Sequence, residues 1–215
     1  MRAQILKTEI YFKEMNKITA RTKHAVCTIV AAFFMIACNS TTFTVSETEL
    51  IGKYSAQIMP VFQITNVSDS VFLRQTAKEF SNADMQSDIF KNLQQQMLLT
   101  VCDTTHKGVG IAAPQVGVAR RLIAVQRFDK PDEPFEFYAN AYIVYYSDKK
   151  QTGAEGCLSV PNRREMVSRA ETIAVKYSHP ETLQVCCDTV SGFTAVIFQH
   201  EIDHLDGALY IDKLN

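Results

Sequence analysis

The amino-acid sequence predicts an α+β domain in which antiparallel β-sheets pack around a helix near the C-terminus. Four runs rich in β-branched and aromatic residues are separated by short turn signals, as is typical of antiparallel strands. A last helix is indicated by apolar residues at helical spacing, and this stripe continues into a His-Glu-x-x-His pattern over residues 200–204. A chain of 215 residues with 47% hydrophobic content is long enough to bury one such core.

The first 38 residues have the pattern of an export signal. Residues 1–24 are basic, and the apolar run Ala25–Ala37 is shorter than the roughly 20 residues that span a bilayer. The run ends in Met-Ile-Ala-Cys at Cys38, which resembles the lipobox of bacterial lipoproteins. We therefore expect an exported protein, held in the cell envelope by a lipid on Cys38.

Other interpretations of this segment stay open. It could be an uncleaved anchor or the first helix of the domain, and a segment without signal function would leave the protein in the cytoplasm. Met15 is an alternative start that would give a signal of more ordinary length. Beyond Cys38, residues 39–57 are predicted to form a polar tether, and residues 58–215 the catalytic domain.

The first predicted helix of the domain begins near Ser81. Ser81-Asn-Ala-Asp84 has the form of a capping box, and apolar residues then recur at helical spacing. These residues, expected to be core, are Ile89, Phe90, Leu93 and Met97.

A glycine-containing segment and the strands follow. Gly108 and Gly110 flank Val109 and predict a place where another backbone approaches closely, while a phosphate-binding loop is disfavoured because its Lys-Ser/Thr pair is missing. The predicted strands cover residues 121–126, 135–146, 171–177 and 183–190. Between the second and third strands, a loop is expected to carry Glu-Gly-Cys-Leu-Ser at 155–159.

Charge and cysteine content exclude two classes of protein. A net charge of −1 leaves no basic footprint for nucleic acid. Six cysteines do not form a disulfide framework in a chain of this length. Cys102, Cys186 and Cys187 are expected to be free, packed thiols of no assigned role.

The last helix is predicted to open at Ser191-Gly192 and to point two histidines into the protein. Phe193, Val196, Ile197, His200 and His204 lie within roughly 80° of one another on a helical projection. Glu201 lies at the edge of this face, whereas Gln199 and Asp203 point elsewhere. Two histidines four residues apart can share a metal ion, with the adjacent Glu acting on water. The alternative is an amphipathic helix with two hydrogen-bonded histidines.

A catalytic metal needs a third protein ligand. The short segment after His204 contains no His and no Glu, and Asp206 points away from His204 on a helix. The third ligand is therefore expected upstream, with His106, His179 and Cys157 as candidates. Cys157 lies in a glycine-containing loop that could reach under the helix, and a thiolate with two imidazoles suits Fe(II) or Zn(II).

Three motifs together resemble those of peptide deformylases, in order and at comparable spacing. They are Gly-Val-Gly-Ile-Ala-Ala-Pro-Gln at 108–115, Glu-Gly-Cys-Leu-Ser at 155–159 and Gln-His-Glu-Ile-Asp-His-Leu-Asp-Gly at 199–207. The resemblance covers about residues 58–214. It implies the fold of that family and hydrolysis of the formyl group of N-formylmethionyl peptides or proteins, releasing formate. It also implies one divalent metal ion per chain, usually Fe(II) and often Zn(II).

The resemblance also implies roles for individual residues. Cys157, His200 and His204 would hold the metal, and Glu201 would act first as general base and then as general acid. The oxyanion would be stabilised by the Gln115 amide and the Leu158 backbone N–H. Around the peptide, the resemblance places Val109, Gly110 and Gly156 along the backbone, Phe193, Val196 and Ile197 in the methionine pocket, and Arg164 at the cleft mouth.

Two other functions compete with this interpretation. A metalloprotease would share the His-Glu-x-x-His helix, but the missing downstream ligand counts against it. A non-catalytic relative that only binds formyl-peptides would have no need of Glu201. The sequence does not indicate an oligomeric state.

Overall fold

The structure of the protein, a computed structural model, describes residues 42–104 and 108–214. The predicted signal segment 1–38 and the candidate ligand His106 lie outside this part of the chain. Among the helices of the described part, none has the length and apolar content needed to cross a membrane.

Two antiparallel sheets form the β part of the fold, which confirms the predicted α+β class. The larger sheet has the strand order β1-β2-β3-β6-β7, and β4 and β5 form a separate hairpin. The strands are β1 Gly110–Ala112, β2 Leu122–Gln126, β3 Phe135–Tyr146, β4 Lys150–Cys157, β5 Val160–Ala170, β6 Thr172–Ser178 and β7 Val185–Ser191. The four predicted strands correspond to β2, β3, β6 and β7 within two residues at each end.

Five α-helices and two short 3₁₀ helices accompany the sheets in the described residues. The α-helices are α1 Val45–Lys53, α2 Val67–Leu73, α3 Asn82–Met85, α4 Asp88–Cys102 and α5 Gly192–Leu205. The 3₁₀ helices are Ala113–Val116 and Tyr210–Lys213. α5 opens directly after Ser191, as predicted.

Part of the predicted tether is a packed helix. Thr44 caps α1 through a capping box with Glu47, and Ile51 on this helix is buried in the core. The buried Arg120 side chain forms an ion pair with Glu47 at 2.8 Å. These contacts join α1 to the rest of the domain, so the domain begins earlier than residue 58.

The single helix predicted from Ser81 is two helices. Ser81 does form the predicted capping box with Asp84, but it caps the short α3. Ser87 then accepts a hydrogen bond from the Phe90 N–H and starts α4. The chain turns between α3 and α4 because each helix starts at its own serine cap. Each serine side chain accepts from a backbone N–H in the first turn, where no carbonyl of the same helix is available.

The predicted loop around Glu155-Gly-Cys157 is the end of strand β4. The prediction missed this strand because its sequence, Lys-Gln-Thr-Gly-Ala-Glu-Gly-Cys, has no β-branched residue except Thr152. β4 is held instead by its register with β5, in which Glu155 lies opposite Glu165 and Gly156 opposite Arg164. Cys157 is therefore positioned at the end of this strand, just after a register shift between Gly156 and Cys157.

Helix α5 lies within the core and carries the central histidines. Ala195, Phe198, Ile202 and Leu205 belong to the same buried cluster as residues of β2, β3 and β6. The expectation that Gln199 points away from the buried face is wrong, because this side chain is 4% exposed. Its amide accepts from the Ala170 N–H at 3.0 Å and donates to the Ala170 carbonyl at 2.9 Å. α5 is thus buried on more than one face.

Candidate metal centre and cleft

Three potential metal ligands converge from α5 and the end of β4. The ligand atoms of Cys157, His200 and His204 all lie within 4.8 Å of one another. Cys157 Sγ lies 3.2 Å from His204 Nε2. One helical turn separates the histidines, which places both rings on the side of α5 that faces the hairpin. The fold thus joins a helical pair to a strand residue distant in sequence.

A buried carboxylate orients one of the histidines. Glu155 Oε2 lies 2.8 Å from His200 Nδ1, which leaves Nε2 of the same ring for a metal. Arg169 donates two hydrogen bonds to Glu155, at 2.8 and 3.0 Å, and a third to Asp203. Burial would raise the pKa of Glu155, but the contacts with His200 and Arg169 lower it to about 2. Glu155 is therefore favoured as the carboxylate beside His200.

The Cys157 thiol and the two imidazoles favour opposite charges on each other. Burial disfavours the Cys157 thiolate, yet the adjacent His204 and His200 hold the pKa of this thiol well below its usual value. Burial likewise opposes protonation of His200, but its contacts with Cys157 and Glu155 raise its pKa well above the ordinary value. Cys157 is thus favoured as the thiolate, which is the form that binds metals.

Glu201 lies beside the ligands but makes no hydrogen bond through one of its oxygens. The side chain is 4% exposed, and Oε2 has no partner among the described residues. Burial raises the pKa of Glu201 to about 7. A carboxyl with a pKa near neutrality can take up and release a proton during a reaction, as a general acid–base catalyst requires.

Gln115 directs its side-chain amide N–H group toward Cys157, one of the three potential ligands. Its Oε1 accepts from the Ala112 N–H at 2.9 Å, which fixes the orientation of the amide. Its Nε2 donates to Ser159 Oγ at 3.2 Å and lies 3.6 Å from Cys157 Sγ. The 3₁₀ helix Ala113–Val116 thereby holds a buried donor next to the thiolate.

The site opens into a cleft of about 850 Å³. The walls include Gln115, Cys157, Leu158, His200 and Glu201, whereas His204 lies beneath them, 1% exposed. Every residue that the resemblance placed around the peptide also lines this cleft: Val109, Gly110, Gly156, Arg164, Phe193, Val196 and Ile197.

Phe193 differs from its prediction in one respect. It was expected to point into the protein, but it is 54% exposed, with its ring centroid 5.2 Å from that of Phe128. It lies in the first turn of α5, so it reaches the rim of the cleft, whereas Ile197, one turn later, is 3% exposed. The apolar stripe of α5 therefore runs from the rim to the interior.

Gly110 is required by side chains of α5 and not, as predicted, by an approaching backbone. A Cβ at this position would lie 2.6 Å from Glu201 Oε1 and 2.8 Å from Ile197 Cγ2. Gly108 is similarly limited by the Val101 side chain, at 2.8 Å. The absent side chain at Gly110 leaves the space that Glu201 occupies.

We expect Gly110→Ala to destabilise the fold by about 1–3 kcal/mol, because the added methyl group overpacks a buried site. Gly153→Ala is the matched control, since a Cβ there meets nothing within 4 Å. Its effect should stay within about 0.5 kcal/mol. Urea unfolding of the two variants measures both values, and equal stabilities would mean that Glu201 and Ile197 move aside freely.

We also expect Glu155→Gln to weaken metal binding by about 10–100-fold, because the hydrogen-bond partner of a ligating histidine tunes its basicity and orientation. Glu165→Gln changes the residue opposite Glu155 in the same hairpin and should bind metal like the parent protein. Competition with a chromophoric chelator gives the affinities. Equal losses in both variants would indicate a general effect on the hairpin.

The other candidates for the third ligand have different roles. His179 lies in the turn after β6, where its Nδ1 accepts from the Glu181 and Thr182 N–H groups at 3.3 Å. Asp206 forms an ion pair with Arg121.

Sequence reasoning missed two residues of the site, Glu155 and Arg169. Glu155 belongs to the Glu-Gly-Cys-Leu-Ser motif at 155–159, and its place two residues before Cys157 is a sequence signal for a role at the site. No sequence signal links Arg169 to it, because their pairing depends on the β4–β5 register.

The residues fit a divalent transition metal. One thiolate and two imidazoles, with one imidazole oriented by a carboxylate, form a donor set that suits Fe(II) and Zn(II) and disfavours Mg²⁺ and Ca²⁺. Three protein ligands leave a further coordination position open toward the cleft, as in catalytic sites.

Comparison with known proteins identifies relatives over most of the chain. The family model described as polypeptide deformylase matches residues 61–215. A peptide deformylase of Leptospira biflexa is 35% identical over 163 residues, which cover 73% of this chain and 89% of that protein. One from Desulforudis audaxviator is 38% identical over 157 residues, covering 72% and 94%.

A solved structure gives the same result in three dimensions. The class I type b peptide deformylase of Acinetobacter baumannii with Met-Ala-Ser bound superimposes with a TM-score of 0.65 at 33% identity. The match covers 74% of this chain and 99% of that one. The similarity thus includes nearly the whole length of the relatives.

Proposed function

Because this chain belongs to the polypeptide deformylase family, whose members remove the N-formyl group from peptides, we propose that its cleft is the site of that hydrolysis. The observation that carries the proposal is the position of Glu201. This buried carboxyl lies beside the cluster of Cys157, His200 and His204 and lines the same cleft as Gln115. The comparisons do not favour a metalloprotease or a non-catalytic relative.

Cys157, His200 and His204 would hold the single divalent metal, and we propose Fe(II), with Zn(II) as the alternative. When bound, such a metal supplies Lewis-acid polarisation and lowers the pKa of water to about 7. The soft thiolate and the two imidazoles support this choice.

Residues of this chain would carry the proton and the developing charge. Glu201 takes a proton from the attacking water and later donates it to the leaving amine. The Gln115 amide and the Leu158 backbone N–H donate to the formyl oxygen as it becomes an anion. One such donor typically contributes about 3 kcal/mol to the transition state.

The peptide would extend from this centre along the cleft. Val109, Gly110 and Gly156 lie on strand edges or next to them and can bind the peptide backbone as an added strand. Val196 and Ile197 provide an apolar wall for the methionine side chain, with Phe193 at its rim and Arg164 at the cleft mouth.

Formate release tests the proposal directly. Protein purified anaerobically with Fe(II) should release formate from formyl-Met-Ala-Ser and leave acetyl-Met-Ala-Ser intact. The peptide is chosen because Met-Ala-Ser is bound in the Acinetobacter baumannii relative. Folded, metal-loaded protein that releases no formate would reject the assignment.

We further propose that the protein works in the cell envelope as a lipoprotein anchored through Cys38. The basic start, the apolar run and the lipobox-like end of residues 1–38 support this location. Cells fed labelled palmitate should yield labelled protein in the membrane fraction, and Cys38→Ala should remove the label. Unlabelled, full-length protein in the cytosol would contradict the location but not the enzymatic activity.

A further inference from the structure

The point at which the N-terminal segment joins the domain is firmly bound. The Thr42 N–H and hydroxyl donate to the carboxylate of Asp84, at 2.5 and 2.7 Å. Arg120 donates to the Thr42 hydroxyl and to its carbonyl oxygen. Asp84 and Arg120 are 0% and 3% exposed. Thr42 is therefore fixed to the body of the domain.

Very little chain lies between this point and Cys38. Residues 39–41 are all that separate Cys38 from Thr42. Even fully extended, this connection reaches only about 14 Å. If Cys38 carries the lipid of the proposed function, on which this inference rests, the surface around Thr42 is held within that distance of the bilayer.

An exposed aromatic strand end forms part of the domain surface. Tyr142, Val144, Tyr145 and Tyr146 are 39%, 56%, 56% and 53% exposed, and we name the segment 142–146 the tyrosine edge. β2 pairs with β3 only as far as Ala139. Beyond that residue, β6 is the one described strand that pairs with β3. On its other side, no described strand pairs with residues 142–146, and the Arg121 guanidinium lies over the Tyr142 ring at 3.7 Å.

The tyrosine edge lies near Thr42, where the N-terminal segment joins the domain. Arg120, which binds Thr42, also donates to the Glu79 carbonyl oxygen at 3.3 Å. Burial is the main cause that raises the pKa of Tyr142, and the Glu79 carboxylate beside its hydroxyl raises it further. Glu79 therefore connects the two features, and a bilayer close to Thr42 also lies close to the tyrosine edge.

We propose that the tyrosine edge lies on the bilayer surface when the protein is anchored through Cys38. Tyrosine is suited to this position because its ring enters the headgroup region while its hydroxyl stays hydrated. Lys150, exposed just beyond the edge, adds a positive charge that anionic lipids attract. The short connection thus gives the domain one orientation on the membrane.

The absence of tryptophan makes a direct test possible. Tyr145→Trp places a sole indole on the edge of the full-length, lipidated protein, which is purified from membranes and reconstituted into phosphatidylcholine–phosphatidylglycerol vesicles with brominated acyl chains. We expect the brominated acyl chains to quench the emission of that indole, since it enters the interface. The control is Val185→Trp, at an exposed position opposite Ser178 on the far side of β6 from β3, which should keep its emission.

The outcomes distinguish the lipid anchor at Cys38 from the orientation of the tyrosine edge on the bilayer. Quenching of Tyr145→Trp alone supports the orientation, and Val144→Trp provides the same reading should the first variant fail to fold. Protein that takes up no labelled palmitate overturns the anchor and the orientation together. Labelled protein with equal emission from both variants overturns the orientation alone. Dimers that shield the indole on the edge from a soluble quencher would assign the edge to a second copy of the chain and also overturn it.

Discussion

Glu201→Gln is expected to lower formate release by about 10³-fold or more while the metal stays bound. The amide cannot take a proton from water or return one to the leaving amine, and general acid–base groups typically contribute 10²–10⁴-fold. The change keeps the volume of the side chain, so the contact with Gly110 is preserved. Glu201 is also distinct from the three proposed ligands, so metal retention separates the proton-transfer role from a structural one.

The measurement pairs turnover of formyl-Met-Ala-Ser with metal content per chain. Glu49→Gln, on the exposed side of α1, is the matched control and should behave as the parent protein. Loss of metal together with activity would show that Glu201 supports the ligands. Full activity would exclude it as the base and direct attention to other groups in the cleft.

Cys157→Ser is expected to weaken metal binding by at least about 100-fold. Changes in residues that only orient a ligand cost 10–100-fold, and this substitution removes a ligand itself. A serine hydroxyl does not ionise near neutral pH, whereas the two imidazoles hold the Cys157 thiol as the thiolate. Soft thiolates also bind Fe(II) and Zn(II) more strongly than hydroxyl groups do.

Metal content after dialysis against a chelator tests this prediction. Cys187→Ser serves as the control, because it removes a free thiol on β7 that is exposed, whereas the sequence had predicted a packed one. Unchanged metal content in Cys157→Ser would place the third ligand elsewhere. His106 and His179 would then be replaced in turn, as the remaining candidates.

The fold class was predictable because the core elements carry their own local signals. β2, β3, β6 and β7 are rich in β-branched and aromatic residues and pair in one sheet, so composition and turn signals located them. α1 and the β4–β5 hairpin lacked such signals. α1 is mostly polar, and its place in the domain depends on Ile51 and on the long-range pairing of Glu47 with Arg120.

The sequence by itself determined the chemistry of the site. A period of 3.6 residues places His200 and His204 on one helical face wherever that helix packs, and residue type alone defines imidazole, thiolate and carboxyl groups. Tertiary structure decided which distant groups join them. The sequence favoured Cys157 through its motif, but the β4–β5 hairpin is what brings it to α5, and Glu155 meets Arg169 through strand register. Such contacts join residues far apart in the chain, so no local pattern encodes them.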